Sequence, residues 1–209
     1  MLYWQVMHKI MLIGGPSRVG KSTLAESLRP KINGQIVAGD AFSRGIRESV
    51  GAERFPDLFV DLVDKHGVID SHEQTIGHLR RRDKAMWIFY KNYIEAVAHD
   101  SHDDLLIDGN FWPDYLTKLD IDHRAIFLVD TSPDRANFLK QVRDDETTAN
   151  NWMRQREWSD EKIDKWAEMD IKRSLKIIEL CKQYNYPCFD VATHGFTKAQ
   201  ELASAYLLA

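Results

Sequence analysis

The sequence predicts a layered α/β fold, with a parallel sheet of about five strands flanked by helices. Three observations lead there. Short apolar runs alternate with longer stretches of helical periodicity. The runs are near-continuously apolar, as strands covered on both faces are. A glycine-rich turn, "GGPSRVGKST" at residues 14–23, joins the first run to the first helical stretch.

The first strand is expected at 9–13, "KIMLI", and a helix at about 20–31. The second strand is "QIVA", 35–38, followed by Asp40 and a helical "AFSRGIRES". A long helix is expected over 71–99, where Ser71 and Gln74 suit a capping box. "DLLI" (104–107) and "RAIFLV" (124–129) are the third and fourth strands. In "TSPDRA", Ser132 suits a helix cap and Pro133 a first helical position, which predicts a helix over 132–143. Residues 144–160 are polar and weakly patterned, and a mobile flap fits there between helices. A helix over 160–184, the strand "YPCFDV" (186–191) and a helix over 197–207 complete the pattern. Such alternation implies right-handed crossovers.

At 209 residues the chain is expected to form one domain, with a core that needs neither disulfide nor metal. Within it, 41–100 reads as a helical acceptor-binding region and 144–160 as a lid. The net charge of −4 argues against a nucleic-acid partner. Cys181 and Cys188 match no zinc or redox spacing and read as reduced structural thiols. No apolar run approaches the ~20 residues a membrane span needs. "MLYWQVMHKIMLIGG" lacks the basic n-region of a secretory signal and reads as part of a first strand, so a cytoplasmic location is expected. The eight histidines, among them His66, His72 and His78, show no ligand spacing. A monomer and a homodimer are both compatible with the sequence.

Residues Gly15, Pro16, Ser17, Arg18, Val19, Gly20, Lys21 and Ser22, with Thr23 after them, fit G-x-x-x-x-G-K-[ST]. Glycines let the backbone curl with its N–H groups around a phosphate. The following helix adds its positive end. Lys21 suits the β- and γ-phosphates, and the Ser22 hydroxyl suits Mg2+. With a strand before and a helix after, the segment resembles the phosphate loop of the P-loop NTPases, which implies nucleoside triphosphate binding.

Within that group, "TKLD" (117–120) resembles the guanine-reading motif of GTPase switches, but it follows "WPDYL" rather than a strand. The third strand ends "LLIDGN" rather than in the acidic pair of a motor ATPase. Length and element order are similar to the P-loop small-molecule kinases. "QIVAGDAFSRGIRESV" and "LLIDGNFWP" resemble adenylate kinase segments, and "NNWMRQREW" falls where such kinases carry an arginine-bearing lid. The Phe-Pro-Arg of adenylate kinases is absent after Asp108-Gly109, which favours an acceptor without a phosphate.

That resemblance implies ATP and Mg2+ as cofactors and a small-molecule acceptor. Asp40 would orient or deprotonate the acceptor, as in shikimate kinase-like enzymes, and Asp108 would hold Mg2+ through water. Bland readings stand beside these: Asp40 as a helix cap, Asp108 as a turn residue. Arg44 and Arg47 share a helix face and suit either an acidic substrate or solvent. One of Arg154 and Arg156 would neutralise charge on the transferring phosphoryl group. Arg80–Arg82 read as a solvated face or a substrate contact, and Trp87 and Trp112 as packing residues or the lining of an aromatic acceptor pocket. The base would meet the backbone of 190–196. The overall reading is phosphate transfer to a hydroxyl or phosphate of a small molecule. A nucleoside monophosphate kinase and a nucleotide-dependent regulatory protein remain as alternatives.

Overall fold

Five short strands of mostly apolar residues build the sheet: β1 Ile10–Gly14, β2 Gly34–Ala38, β3 Asp104–Asp108, β4 Arg124–Val129 and β5 Cys188–Asp190. The computed structural model describes residues 9–60, 71–145 and 151–209. All strand pairs are parallel, in the order β2-β3-β1-β4-β5. The three central strands are covered on both faces. Along β1, Ile10 and Leu12 face one apolar cluster while Met11 and Ile13 face the other, and all are buried. Each fully buried Leu or Ile contributes about 1.5–3 kcal/mol. The edges depart from the expectation of two-sided burial. β2 and β5 are half-buried or exposed, because an edge strand has a neighbour on one side only.

The helices are α1 Lys21–Leu28, α2 Gly39–Ser49, α3 His72–Asp100, α4 Pro113–Leu116, α5 Arg135–Asp144, α6 Trp152–Gln155, α7 Asp160–Tyr184, α8 Val191–His194 and α9 Phe196–Leu208. Helices α1 and α9 cover one sheet face, and α3, α4 and α7 cover the other. The result is the three-layer architecture expected. The capping box at Ser71 forms: its Oγ accepts from Gln74 N, and Gln74 Oε1 accepts from Ser71 N. Ser132 does not cap α5. The helix starts at Arg135 with Asp134 at the cap position, and the Ser132 N–H donates to Asp130 Oδ1.

The described part of the expected flap, 151–160, packs against its neighbours; 146–150, like 1–8 and 61–70, lie outside the described residues. Trp152, Trp158 and Trp166 pack edge to face, with centroids 4.7–5.7 Å apart. Met153 and Trp158 are buried with α5 and α7 residues in a third apolar cluster. Asn151 accepts from Met153 N and Arg154 N and donates to the Val142 carbonyl. Tryptophans in a polar stretch are here the anchors that hold it down.

Candidate active site

The C-terminal ends of parallel strands form the crevice of such a sheet, and the turn after β1 lies there. Its backbone is left-handed at Gly15 (φ 134°), Arg18 (φ 59°) and Gly20 (φ 92°). That alternation curls N–H groups into an anion-binding nest. A Cβ on Gly15 would sit 1.9 Å from the Leu128 carbonyl oxygen, and one on Gly20 would sit 2.6 Å from the Phe196 ring. Val19 anchors the loop by burying itself with α1 and α9 residues. Pro16 and Ser17 complete the turn, and the hydroxyl-bearing Ser22 and Thr23 open α1.

Lys21 Nζ donates to the Pro16 carbonyl at 2.5 Å, folding the ammonium back over the loop. Burial pulls its pKa down to about 8, Arg173 adds to that pull, and Asp40, Asp108 and Asp170 oppose it. Ser22 Oγ donates to Asp108 Oδ2 at 2.6 Å. Asp108 ends β3 and is buried, and its other oxygen accepts from Gly39 N at 3.3 Å. It is a strand terminus rather than a turn residue. A hydroxyl and a carboxylate meeting beside the phosphate loop are hard oxygen donors of the kind Mg2+ takes.

Asp40 stands exposed in the first turn of α2, whose N-cap is Ala38, so it is not the cap. Gly39 is pinned from both sides: its N–H reaches Asp108, and its carbonyl accepts from the Tyr90 hydroxyl at 2.6 Å. A Cβ there would lie 2.1 Å from the Asp108 carbonyl oxygen. That close approach aims Asp40 over the crevice.

A cavity opens next to Asp40, with Arg47, Arg82, Asn110, Trp87, Tyr90 and Phe111 among its lining. Its aromatic wall is rigid: Phe111 meets Tyr90 and Trp87 edge to face at 5.0 and 5.8 Å. The expected solvated face at 80–82 divides three ways. Arg80 pairs with Asp114 at 2.6 Å and lies over Trp112, Arg81 is exposed, and Arg82 lines the cavity. Trp112 is wholly buried, its Nε1 donating to Asp83. Arg44 is exposed and Arg47 half-buried. Burial lowers the Arg47 pKa, as do Arg82, Arg44 and Arg156, while Asp40 raises it. The two flap arginines separate: Arg156, over the Trp152 ring, acts on Arg47, whereas Arg154 acts on Asp144.

Behind the loop lies a set of residues that the sequence reading missed. Arg135, 1% exposed, donates from Nη2 to the Ser17 carbonyl at 2.5 Å and from Nη1 to the Arg18 carbonyl at 3.3 Å. The same guanidinium binds Asp130 at 3.1 Å and Asp170 at 3.2 Å. Burial raises the Asp170 pKa, and Arg135 and Arg173 oppose that rise. Arg173 is also 1% exposed and reaches Asp83 and Asn110. A signal was available: Ile163, Trp166, Asp170, Arg173 and Ile177 form one helical stripe, all buried. Leu79, Asp83, Met86 and Tyr90 repeat the pattern on α3. A charge inside an apolar stripe calls for a buried partner.

"TKLD" follows the short helix α4, not a strand. Residues 190–196, expected as a loop, instead hold the end of β5, α8 and the start of α9; α9 borders the phosphate loop through Phe196 and through the Gln200 side chain, which donates to Gly20 O at 3.2 Å. Among the described residues no cluster of His, Cys, Asp or Glu suits a metal, and no helix is long and apolar enough to cross a membrane.

No protein-family model matches the chain. It is 26% identical over 103 residues to a tRNA dimethylallyltransferase of Aquifex aeolicus, covering 43% of this chain and 34% of that one. It is 28% identical over 131 residues to that of Lactobacillus acidophilus, covering 53% and 43%. The chain therefore spans less than half the length of these relatives. Among solved structures it resembles a shikimate kinase from Bacteroides thetaiotaomicron (TM-score 0.48, 16% identity, 95% and 96% of the two chains). It also resembles a dephospho-CoA kinase from Campylobacter jejuni (TM-score 0.41, 13% identity, 95% of each chain).

Proposed function

We propose that the chain is an ATP-dependent phosphotransferase acting on a small molecule. The observation that carries this is the meeting of four groups at the ends of β1, β2 and β3. Lys21 and Ser22 lie on the phosphate loop, Asp108 is bonded to Ser22 at 2.6 Å, and Asp40, in the first turn after β2, lines the neighbouring cavity. The loop N–H groups and Lys21 hold the triphosphate. Ser22 and Asp108 are the residues to hold Mg2+, which neutralises charge on the phosphates when bound. Asp40 aligns the acceptor hydroxyl in line with the γ-phosphorus. As the acceptor oxygen bonds to that phosphorus, the bond to the bridging oxygen breaks, ADP leaves, and the hydroxyl proton passes to Asp40. Arg156, together with Arg173 beneath, balances the charge spread over the transferring group.

The test is ADP formation from ATP and Mg2+ across acceptor classes, with Lys21→Ala as control. Stimulation by one class, lost in the control, supports the reading. Undiminished turnover in Lys21→Ala overturns it.

A second reading is favoured by the sequence matches, which are tRNA dimethylallyltransferases. On that reading the loop would serve transfer of a dimethylallyl group to tRNA. The net charge of −4 supplies little attraction to a polyanion. Labelled dimethylallyl incorporation into tRNA by this chain would favour it over phosphate transfer.

A further inference from the structure

We propose that the cavity beside Asp40 takes an anionic acceptor: a small molecule carrying a carboxylate or phosphate as well as the hydroxyl that is phosphorylated. This rests on the phosphotransferase reading and adds the class of acceptor to it.

The charges around the cavity carry the inference. Arg47 and Arg82 both line it, from α2 and α3, and the charges of Arg44 and Arg156 also bear on Arg47. Opposed to these four guanidinium groups stand Asp40 and Asp83. Asp83 is already occupied. It accepts from Arg82 at 2.8 Å, from Trp112 at 2.9 Å and from Arg173 at 3.4 Å. Asp40 is the group that faces the acceptor hydroxyl. Arg47 is therefore half-buried with no ion pair among the described residues, and three like charges surround it. Holding cations together in partly desolvated space is costly, and a bound anion relieves both the desolvation and the repulsion. A guanidinium fork also matches the planar oxygens of a carboxylate or the face of a phosphate.

The remaining lining limits the ligand further. Trp87, Tyr90 and Phe111 offer ring faces and edges to a compact carbon skeleton. Asn110, whose Oδ1 accepts from Arg173 at 3.5 Å, adds a neutral polar group suited to a second hydroxyl. The Tyr90 hydroxyl is committed to Gly39 O and Ser43, and so it does not compete for the ligand. Asp40 would repel an anion placed directly against it. The anionic group is expected at the Arg47–Arg82 end, with the hydroxyl toward Asp40 and the phosphate loop.

The experiment uses matched pairs with the whole chain and saturating Mg2+ and a non-hydrolysable ATP analogue. The pairs are hydroxy acids against their methyl esters, and sugar phosphates against the free sugars. Thermal stabilisation is read first, then ADP formation with ATP. At least one anionic member should stabilise the protein, and its neutral partner should not. Arg47→Ala should raise the KM of that acceptor by about 30-fold or more, and Arg47→Lys should recover part of the loss. The carboxylate and phosphate arms tell the two anions apart.

Neutral members that bind or react as well as their anionic partners would overturn the acceptor class while leaving the phosphotransferase reading intact. So would Arg47→Ala changing kcat with acceptor KM unmoved, or no anionic member binding to a protein that does bind nucleotide. A wild-type chain that fails to bind the nucleotide at all would overturn the underlying reading, and the acceptor class with it.

Discussion

The two walls of the crevice are held together by different means. On the proposed nucleotide side the cradle is mostly backbone, joined by the Lys21 and Ser22 side chains, and a buried set of charges braces it from behind. Arg135 binds two loop carbonyls while sharing its charge with Asp130 and Asp170, all of it buried. On the proposed acceptor side the cavity is lined by side chains, Asp40, Arg47 and Arg82 among them, with a wall of packed aromatic rings. A triphosphate needs a fixed curve of N–H donors, and backbone supplies it at little entropic cost. Discrimination among small molecules needs varied chemistry, which only side chains carry. Substitutions in the buried bracing of the first wall should therefore damage stability, those at its phosphate-facing Lys21 should damage turnover, and those on the second wall should alter turnover or acceptor affinity.

The largest effect expected is for Lys21→Ala. Removing a point charge from the transferring phosphoryl oxygens should cut kcat on the order of 10³-fold or more. Burial already disfavours the Lys21 charge, so removing it should not lower the melting temperature, and thermal denaturation beside steady-state kinetics checks both. Next comes Arg135→Ala, which strands two buried carboxylates. A loss of about 3–5 kcal/mol in denaturant unfolding is expected, because breaking a buried pair leaves uncompensated charge. If stability holds and only acceptor KM changes, the division between the walls is wrong.

Asp40→Asn tests the other wall. Losing a proton acceptor should lower kcat by roughly 10²-fold with nucleotide affinity retained. Asp40 is exposed, so little stability should be lost. Equal loss of nucleotide binding would mean that Asp40 belongs to the nucleotide wall. The smallest effect is expected for Tyr90→Phe. It removes the 2.6 Å bond to Gly39 O and should cost about 1 kcal/mol. A few-fold drop in kcat should accompany it as the first turn of α2 loosens. Turnover unchanged beside that stability loss would show that the α2 anchor does not set Asp40.

Particular residues show why some of this was legible and some was not. The strand runs, the helices beginning near 71 and 160 and the phosphate loop follow from local chemistry, and they lie where the pattern predicts. Two stretches could not be resolved without their tertiary context. Ser132 is a good capping residue, but Pro133 and Asp134 form a turn ahead of α5, which leaves Asp134 at the cap position. The polar stretch from 151 offered no periodicity, and its tryptophans found their partner in Trp166, eight residues beyond Trp158 on another helix. Arg82 stood in a run of three arginines that nothing local could divide. Asp83, Trp112 and Asp114 divided it.

By itself the sequence determined the element order, the α/β class and the cradle of Gly15 to Ser22. Each depends on a periodicity or a backbone conformation set within a few residues. Tertiary structure alone decided which charges became machinery. Arg135 meets the loop 118 residues away at Ser17, and Ser22 meets Asp108 across 86. Whether a charged side chain is solvated or buried against a partner is a property of the space around it, and that space exists only once the sheet has brought distant strand ends together.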